Sequence, residues 1–421
     1  MNRKLLKQKD YALLMGGHFV SLLGSNIQQF VLSLYVLDLT GSATVFASML
    51  AIAILPRLIL SPVAGVFGDW FDRKKMIVML DFVNALLLLL FALYLVGFGS
   101  FPLLAVYLLV ILLEASEIFF GASLQAIIPS IVEPEDRVAA NSFHTLLTSI
   151  AQLLSPALGA VIYAVFGLGL ALFVNAASFL ISAISETFIR VPRQRSISEK
   201  KNFRAFKNDV REGIKLIRTD HRLLTTVRLA AIVNFAISPL FSVGFIYVIR
   251  EILGASDYQY GIFQTAIAAS MIVGALFLGA YIRRHPVGSV LKRGLVLLTT
   301  MILLMALFTT APFIDEDASF YLAFSALTVL SFFSGLIVVM VNVAIGTFIQ
   351  NIVPSEFMSR TSAVLQLVAT VLIPLGQVTF GFLYDYLPPS SVILISGAII
   401  GLAILWFYRA LSRFTNETIH A

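Results

Sequence analysis

Long runs of apolar residues, cut by short polar or charged intervals, repeat from one end of the chain to the other. Each run is close to the roughly 20 residues an α-helix needs to cross a bilayer. Spans are predicted near 12–37, 43–66, 75–97, 102–128, 143–165 and 167–190, and again near 222–248, 258–282, 288–311, 319–345, 357–384 and 390–411. The pattern predicts an all-α membrane protein of about twelve helices. It divides into two six-helix bundles, 1–190 and 222–421, joined by a cytoplasmic linker at 191–221. A membrane β-barrel is excluded, because barrel strands alternate polar and apolar residues over about 10 positions and these runs do not.

The linker has its own periodicity. Phe203, Phe206, Val210, Ile214 and Ile217 recur at helical spacing, with Arg204, Lys207, Arg211 and Lys215 between them. A basic amphipathic helix lying on the inner leaflet fits this pattern, and a solvated linker helix is the alternative. The two halves also echo one another. Ile131-Val132-Glu133-Pro134-Glu135 closes the fourth span and Ile352-Val353-Pro354-Ser355-Glu356 the tenth. Ser155-Pro156-Ala157-Leu158-Gly159 lies in the fifth span, and Ile373-Pro374-Leu375-Gly376 in the eleventh. Gly274 to Arg284 is a worn counterpart of the charged turn Gly65 to Lys75. Three matches in the same order indicate a duplicated six-span unit, as in transporters built from parallel repeats.

Composition agrees with the pattern. The 421 residues are 59% hydrophobic and 12% charged, with a mean hydropathy of +0.94, where a soluble domain carries about 25% charged residues. The net charge of +6 would suit a nucleic-acid partner, but the placement of the charges argues otherwise. Arg73 to Lys75, Arg193 to Arg222, Arg283, Arg284, Lys292, Arg293, Arg409 and Arg413 fall in loops on one side. The opposite loops hold few cations, and one reads Asp315-Glu316-Asp317. This asymmetry puts both termini in the cytoplasm. The basic start Met1 to Lys9 is followed by no small-residue cleavage site, so a retained first span is expected. With no cysteine, disulfides are excluded.

Ionisable groups inside a membrane cost roughly 2.5–3.5 kcal/mol each on insertion scales and mark function by default. Glu114 and Glu117 share one face of the fourth span, Arg57 sits near the middle of the second, and Asp81 about two turns into the third. Two carboxyls sharing a dry site cannot both ionise easily, which suits a group that takes up and releases protons. Arg57 is placed to pair with one of them. Buried ion pairs that fix helix register are the structural alternative. The first span shows a polar face of His18, Ser21, Ser25, Gln28 and Gln29, with Asn26 alongside, and the seventh shows Asn234, Ser238 and Ser242. Ser25, Asn26, Gln29, Asn234 and Ser238 are candidates to line a cavity, although hydrogen bonds between spans explain them equally well. His18 is expected to be structural. Phe235, Phe241, Phe332, Phe333 and Met340 would make such a cavity greasy and suited to lipophilic solutes, unless they are simply lipid contact or core.

The chain holds no Gly-x-x-x-x-Gly-Lys-Ser/Thr loop, no His-Glu-x-x-His motif and no mid-span lysine. An enzyme is therefore not expected. No cofactor and no metal is expected either, with protons as the coupling ion.

Gly65-x-x-x-Asp69-x-x-x-Arg73-Lys74 resembles the loop signature of the major facilitator superfamily between its second and third spans. Leu37-Asp38-Leu39-Thr40-Gly41-Ser42, Leu55-Pro56-Arg57, Asn175-Ala176-Ala177-Ser178-Phe179 and Ile131-Val132-x-Pro134-Glu135 look like its macrolide-efflux branch of bacterial drug:proton antiporters. Trp70 and Asp72 depart from the superfamily pattern, and Ser155-Pro156-Ala157-Leu158-Gly159-Ala160 is a reduced form of the antiporter motif. Small residues survive there, so close packing of spans is expected.

The resemblance implies a proton-driven exporter of lipophilic small molecules, of the drug or antibiotic type. A specific transporter of lipids, lysophospholipids or siderophores is the alternative, and a non-transporting membrane sensor or enzyme a remote one. By this likeness spans one, four, seven and ten line a central cavity, and Gly65, Asp69, Asp72 and Arg73 form a gating loop. The resemblance further implies that Asp69 caps the start of the eleventh span. The protein is expected to work as a monomer in the bacterial cytoplasmic membrane, with the lipid bilayer and a small-molecule solute as its partners and no nucleic acid.

Overall fold

The computed structural model describes residues 8–70, 72–191, 211–212, 214–314, 319–353 and 355–417; at some helical positions, among them 58, 61–63, 65–70 and 355–360, only the backbone is described. The helices are α1 (Lys9–Thr40), α2 (Ala43–Trp70), α3 (Arg73–Phe98), α4 (Leu103–Ile131), α5 (Arg137–Thr187), α6 (His221–Pro239), α7 (Asp257–Arg284), α8 (Val287–Phe308), the single turn α9 (Ala311–Ile314), α10 (Phe320–Ile352), α11 (Ser355–Tyr386) and α12 (Pro389–Glu417).

Local chemistry explains the ends. Asp72 caps α3, its side chain accepting from the Lys75 amide. Ser256 and Gln259 form a reciprocal capping box at the start of α7. The expected fifth and sixth spans run on as one helix, α5, broken at Gly167, whose φ of 69° and ψ of −170° turn the chain between two limbs. The expected seventh span also differs from a plain helix. After Pro239, which carries no N–H, α6 continues as π-helical turns at Leu240–Gly244 and Tyr247–Ile252.

Among the described residues, eight helical stretches are long and apolar enough to cross a membrane. The other expected spans fall in α2, the first limb of α5, α7 and α11. Length does not exclude α2, α7 or α11, which hold 28, 28 and 32 residues. They combine polar residues such as Gln264 and Gln377 with positions outside the described side chains.

The chain divides into two compact units. The first comprises Met1–Leu39 and Ile52–Phe206; the second comprises Thr40–Ala51 and Lys207–Ala421. In the first, α3 packs along α5 and α4. Tyr11, Leu14, Met15, Ile77, Phe120 and Ile127 form a buried core in that unit, and the Tyr11 hydroxyl donates to the Ala140 carbonyl at 3.0 Å. In the second, α8 packs against α12 and α10, α10 against α7, and α6 against α11 and α12. Of the amphipathic stretch in the linker, Phe203, Phe206 and Val210 lie outside the described residues. Ile217 is buried with Val227 and Val364, so its apolar stripe ends in protein at that point.

Candidate functional site

Arg57 on α2 and Glu114 on α4 form the centre of the first unit's charged group. Arg57 Nε donates to Glu114 Oε2 at 2.9 Å, with the arginine side chain 56% exposed and the glutamate 14%. Glu117, one helical turn further along α4, lies within electrostatic reach of both. The sequence left open which glutamate would take the arginine, and the hydrogen bond goes to Glu114. Among the described residues, this group brings together Arg57 and two carboxyls, Glu114 and Glu117.

Asp81, on α3, is 1% exposed and faces Glu117, Glu186 and the Ser182 hydroxyl. Glu186 is fully buried near the end of α5, with Ser182 Oγ 3.4 Å from its Oε1. Sequence reasoning passed over Glu186 because it stands close to the end of an apolar run. The rule that picked out Asp81, a charge within an apolar run, would have found it.

The other polar residues separate by role. Asn175 Nδ2 donates to Gln28 Oε1 at 2.6 Å, and Ser178 Oγ donates to Asn175 Oδ1 at 2.9 Å. Gln28 thus ties α1 to α5. His18 is buried and stacks on Phe120 and His144, with ring centroids 5.4 and 5.3 Å away. Ser25 and Asn26 are partly buried on α1, and Gln29 is exposed. The buried Asn26 Nδ2 has no hydrogen-bond partner among the described residues. In the second unit, Asn234 and Ser238 are partly buried on α6. Ser242 Oγ donates to the Ser238 carbonyl at 2.8 Å and accepts from Gln377 Nε2 at 3.2 Å.

Gly65 and Asp69 lie in α2, but the Asp69 side chain is outside the described residues, and with it the expected cap on the eleventh span. Asp72, Arg73 and Lys74 are described. Besides the Asp72 cap, Arg73 Nη1 donates to the Ala126 carbonyl at 3.2 Å and Lys74 Nζ to the Thr187 carbonyl at 2.8 Å. Both cations serve carbonyls near helix C-termini within the first unit, where positive charge is favourable. In the fifth-span motif, Ser155 Oγ donates to the Ala151 carbonyl at 2.6 Å, and Pro156 lies inside α5. Gly159 faces α1 so closely that a Cβ there would stand 2.7 Å from Phe30 Cδ1.

The fold is all-helical, with several apolar spans and a small charged group inside the first unit. The family model described as Major Facilitator Superfamily matches residues 14–377, and the chain belongs to that superfamily of membrane transporters. It is similar to Macrolide efflux protein A of Streptococcus pyogenes, 24% identical over 403 residues and 94% of each chain. It is also similar to the protein of that name from Enterococcus faecalis, 25% identical over 345 residues, 80% of this chain and 99% of the relative. Among solved structures, a bacterial homologue of the iron transporter ferroportin in an inward-facing state matches with a TM-score of 0.74 at 16% identity, covering 97% of this chain and 99% of that one. The nucleoside transporter NupG matches with a TM-score of 0.73 at 14% identity, covering 95% and 98%. At these identities the structural matches establish the fold alone.

Proposed function

We propose that the protein is a secondary active transporter that exports lipophilic small molecules, of the drug or antibiotic kind, by proton antiport. Twelve spans in two six-helix bundles, with both ends in the cytoplasm of a bacterial inner-membrane protein, complete this reading. Its support is the family, the efflux relatives and the positive-inside charge pattern. The observation that carries it is the Arg57–Glu114 pair with Glu117 one turn away.

The mechanism follows from charge balance. The guanidinium holds Glu114, and Glu117 is left to a mobile positive charge, because an ion partly withdrawn from water is costly without a partner. A proton or the cationic group of a solute fills that place, and the two compete for it. A solute bound on one side is displaced when a proton arrives from the other, which is antiport. The two loaded forms differ in their interactions with the protein, as a ligand-driven shift between conformations requires.

The test uses purified protein in proteoliposomes, an imposed pH gradient and a lipophilic cationic dye. Glu114→Gln/Glu117→Gln is expected to lower gradient-driven efflux about a hundredfold or more, the effect of removing a positioned proton-transfer group. Normal export by that variant would end the assignment of the proton site. Parent protein that moves neither dyes nor antibiotics, but does move one lipid or siderophore, would replace the drug reading with a specific one.

A further inference from the structure

The Arg57–Glu114 pair presents its two partners unequally. The arginine side chain is 56% exposed and the glutamate only 14%, so the positive end of the pair is the one turned outward. Arg57 stands at the middle of α2 (Ala43–Trp70), about 20 Å from either end at 1.5 Å per residue. Glu117 is the middle residue of α4 (Leu103–Ile131). At such a depth a guanidinium does not face hydrocarbon; ionisable groups there turn to the bundle interior or to water.

The exposed apolar residues mark the lipid side of both helices. Leu55 and Ile59 of α2 are exposed and four residues apart, which puts them on one face. Arg57 lies midway between them in sequence and therefore about half a turn around the helix. On α4, Leu104, Leu108 and Leu112 form the same kind of exposed stripe. Glu117 falls about half a turn around from Leu108, the middle of that stripe. Arg57 and Glu117 thus turn away from the apolar stripes of their own helices, and the exposure of the guanidinium is exposure to water.

Chemistry then decides what can dock there. A guanidinium carries five N–H donors in a planar fork that suits anionic oxygens, and here Nε–H goes to Glu114. Its charge repels an approaching organic cation. Glu117, within electrostatic reach of Arg57, attracts one. A solute that satisfies both residues brings an anionic oxygen group to the guanidinium and a cationic group to the carboxyl. A purely cationic amphiphile satisfies only the second.

We propose that Arg57 is the specificity-determining residue of this site, and that the solutes it favours are zwitterionic amphiphiles carrying an anionic oxygen group, such as a carboxylate, near a cationic one. This rests on the transporter reading above and narrows its solute class.

Rhodamine B and its ethyl ester form the probe pair, since they share the cationic ring system and differ by one carboxylate. Fluorescence titration of the full-length protein in lipid nanodiscs, at neutral pH and against empty nanodiscs, gives both affinities. The parent is expected to bind rhodamine B about tenfold more tightly than the ester, the effect of a hydrogen bond to a charged group. Arg57→Gln/Glu114→Gln removes the pair as a unit and is expected to bring the ratio close to one. Arg57→Lys should keep a preference of about threefold, because the charge stays and the fork is lost. If the double variant does not stay folded, Arg57→Lys carries the test. A parent that binds the two dyes equally, favours the ester or binds neither overturns the proposal, as does a ratio left unchanged in the folded variants. Tight binding of rhodamine B without export under a pH gradient would instead sink the transport reading and leave the assignment of Arg57 standing.

Discussion

The two units use the same way of bringing helices together but bury different chemistry. In the first, Gly159 of α5 lies against Phe30 of α1; in the second, Gly376 of α11 lies against α6, where a Cβ would stand 2.6 Å from the Phe235 carbonyl oxygen. Both glycines follow a proline by two or three residues, Pro156 and Pro374. The buried polar residues diverge. Among the described residues, the first unit buries Asp81, Asp136 and Glu186, while the second buries Thr225, Ser270, Ser334, Gln377, Ser396 and similar neutral groups. The two units share this packing while fully burying different polar groups, and the second keeps a mostly buried ion pair, Arg250 Nη2 with Asp257 Oδ1 at 2.7 Å. Buried carboxyls are tolerated where they do work, and neutral hydroxyls serve where only helix contact is needed.

The sharpest way to break the packing parallel is to add one methyl group to each glycine. Gly376→Ala meets a backbone carbonyl, which cannot turn aside, and is expected to cost about 3 kcal/mol. Gly159→Ala meets a phenylalanine ring, which can, and should cost about 1–2 kcal/mol. Thermal unfolding in detergent measures both; equal losses would show that the two contacts are equally rigid.

The hydrogen bonds offer the next comparison. Asn175→Ala leaves the buried Gln28 amide without its partner and is expected to cost about 2 kcal/mol. Ser396→Ala loses one bond to the Ala236 carbonyl, now at 2.9 Å, and should cost about 1 kcal/mol. The same unfolding experiment ranks them, and a reversed order would place the tighter polar joint in the second unit.

The last effect concerns how α6 begins. Asp220 caps α6 by accepting from the Arg222 and Leu223 amides at 2.8 and 3.3 Å. Partial burial works against its charge, but the bonds from Arg222 and Leu223 and the Arg222 guanidinium hold its carboxyl below the usual carboxylate range. A carboxyl lowered in the folded state adds stability above its unfolded value, near 3.9, and loses it as pH falls through the folded value. Asp220→Ala should therefore cost about 1 kcal/mol at pH 7 and progressively less below about pH 4. A cost independent of pH would mean that the side chain acts through packing rather than through its charge.

Much of this was legible beforehand, for definite reasons. Membrane helices announce themselves because each must satisfy its backbone internally and show apolar residues to lipid. The break at Gly167 falls at the first residue of the predicted sixth span. Arg57, Glu114 and Glu117 were visible because charge is rare in such runs. Asp385 was not singled out, since an acid at the end of a span looks like ordinary solvated charge until its hydrogen bonds to Ser42, Ala43 and Thr44, 341 to 343 residues away, are known. The π-helical turns after Pro239 were also hidden, because apolar periodicity over so few residues does not separate them from an α-helix.

Taken alone, the sequence determined the helical class, the superfamily and the short list of charged residues. These depend on local composition and on spacing along the chain. Only the tertiary structure decided that Arg57 takes Glu114, that Glu186 joins Asp81, that Gln28 belongs to Asn175, and that Asp385 grips the start of α2. Each of these is a choice among several chemically equivalent partners. Such choices are made by which helix faces lie within about 3 Å of each other, a distance that sequence spacing does not encode.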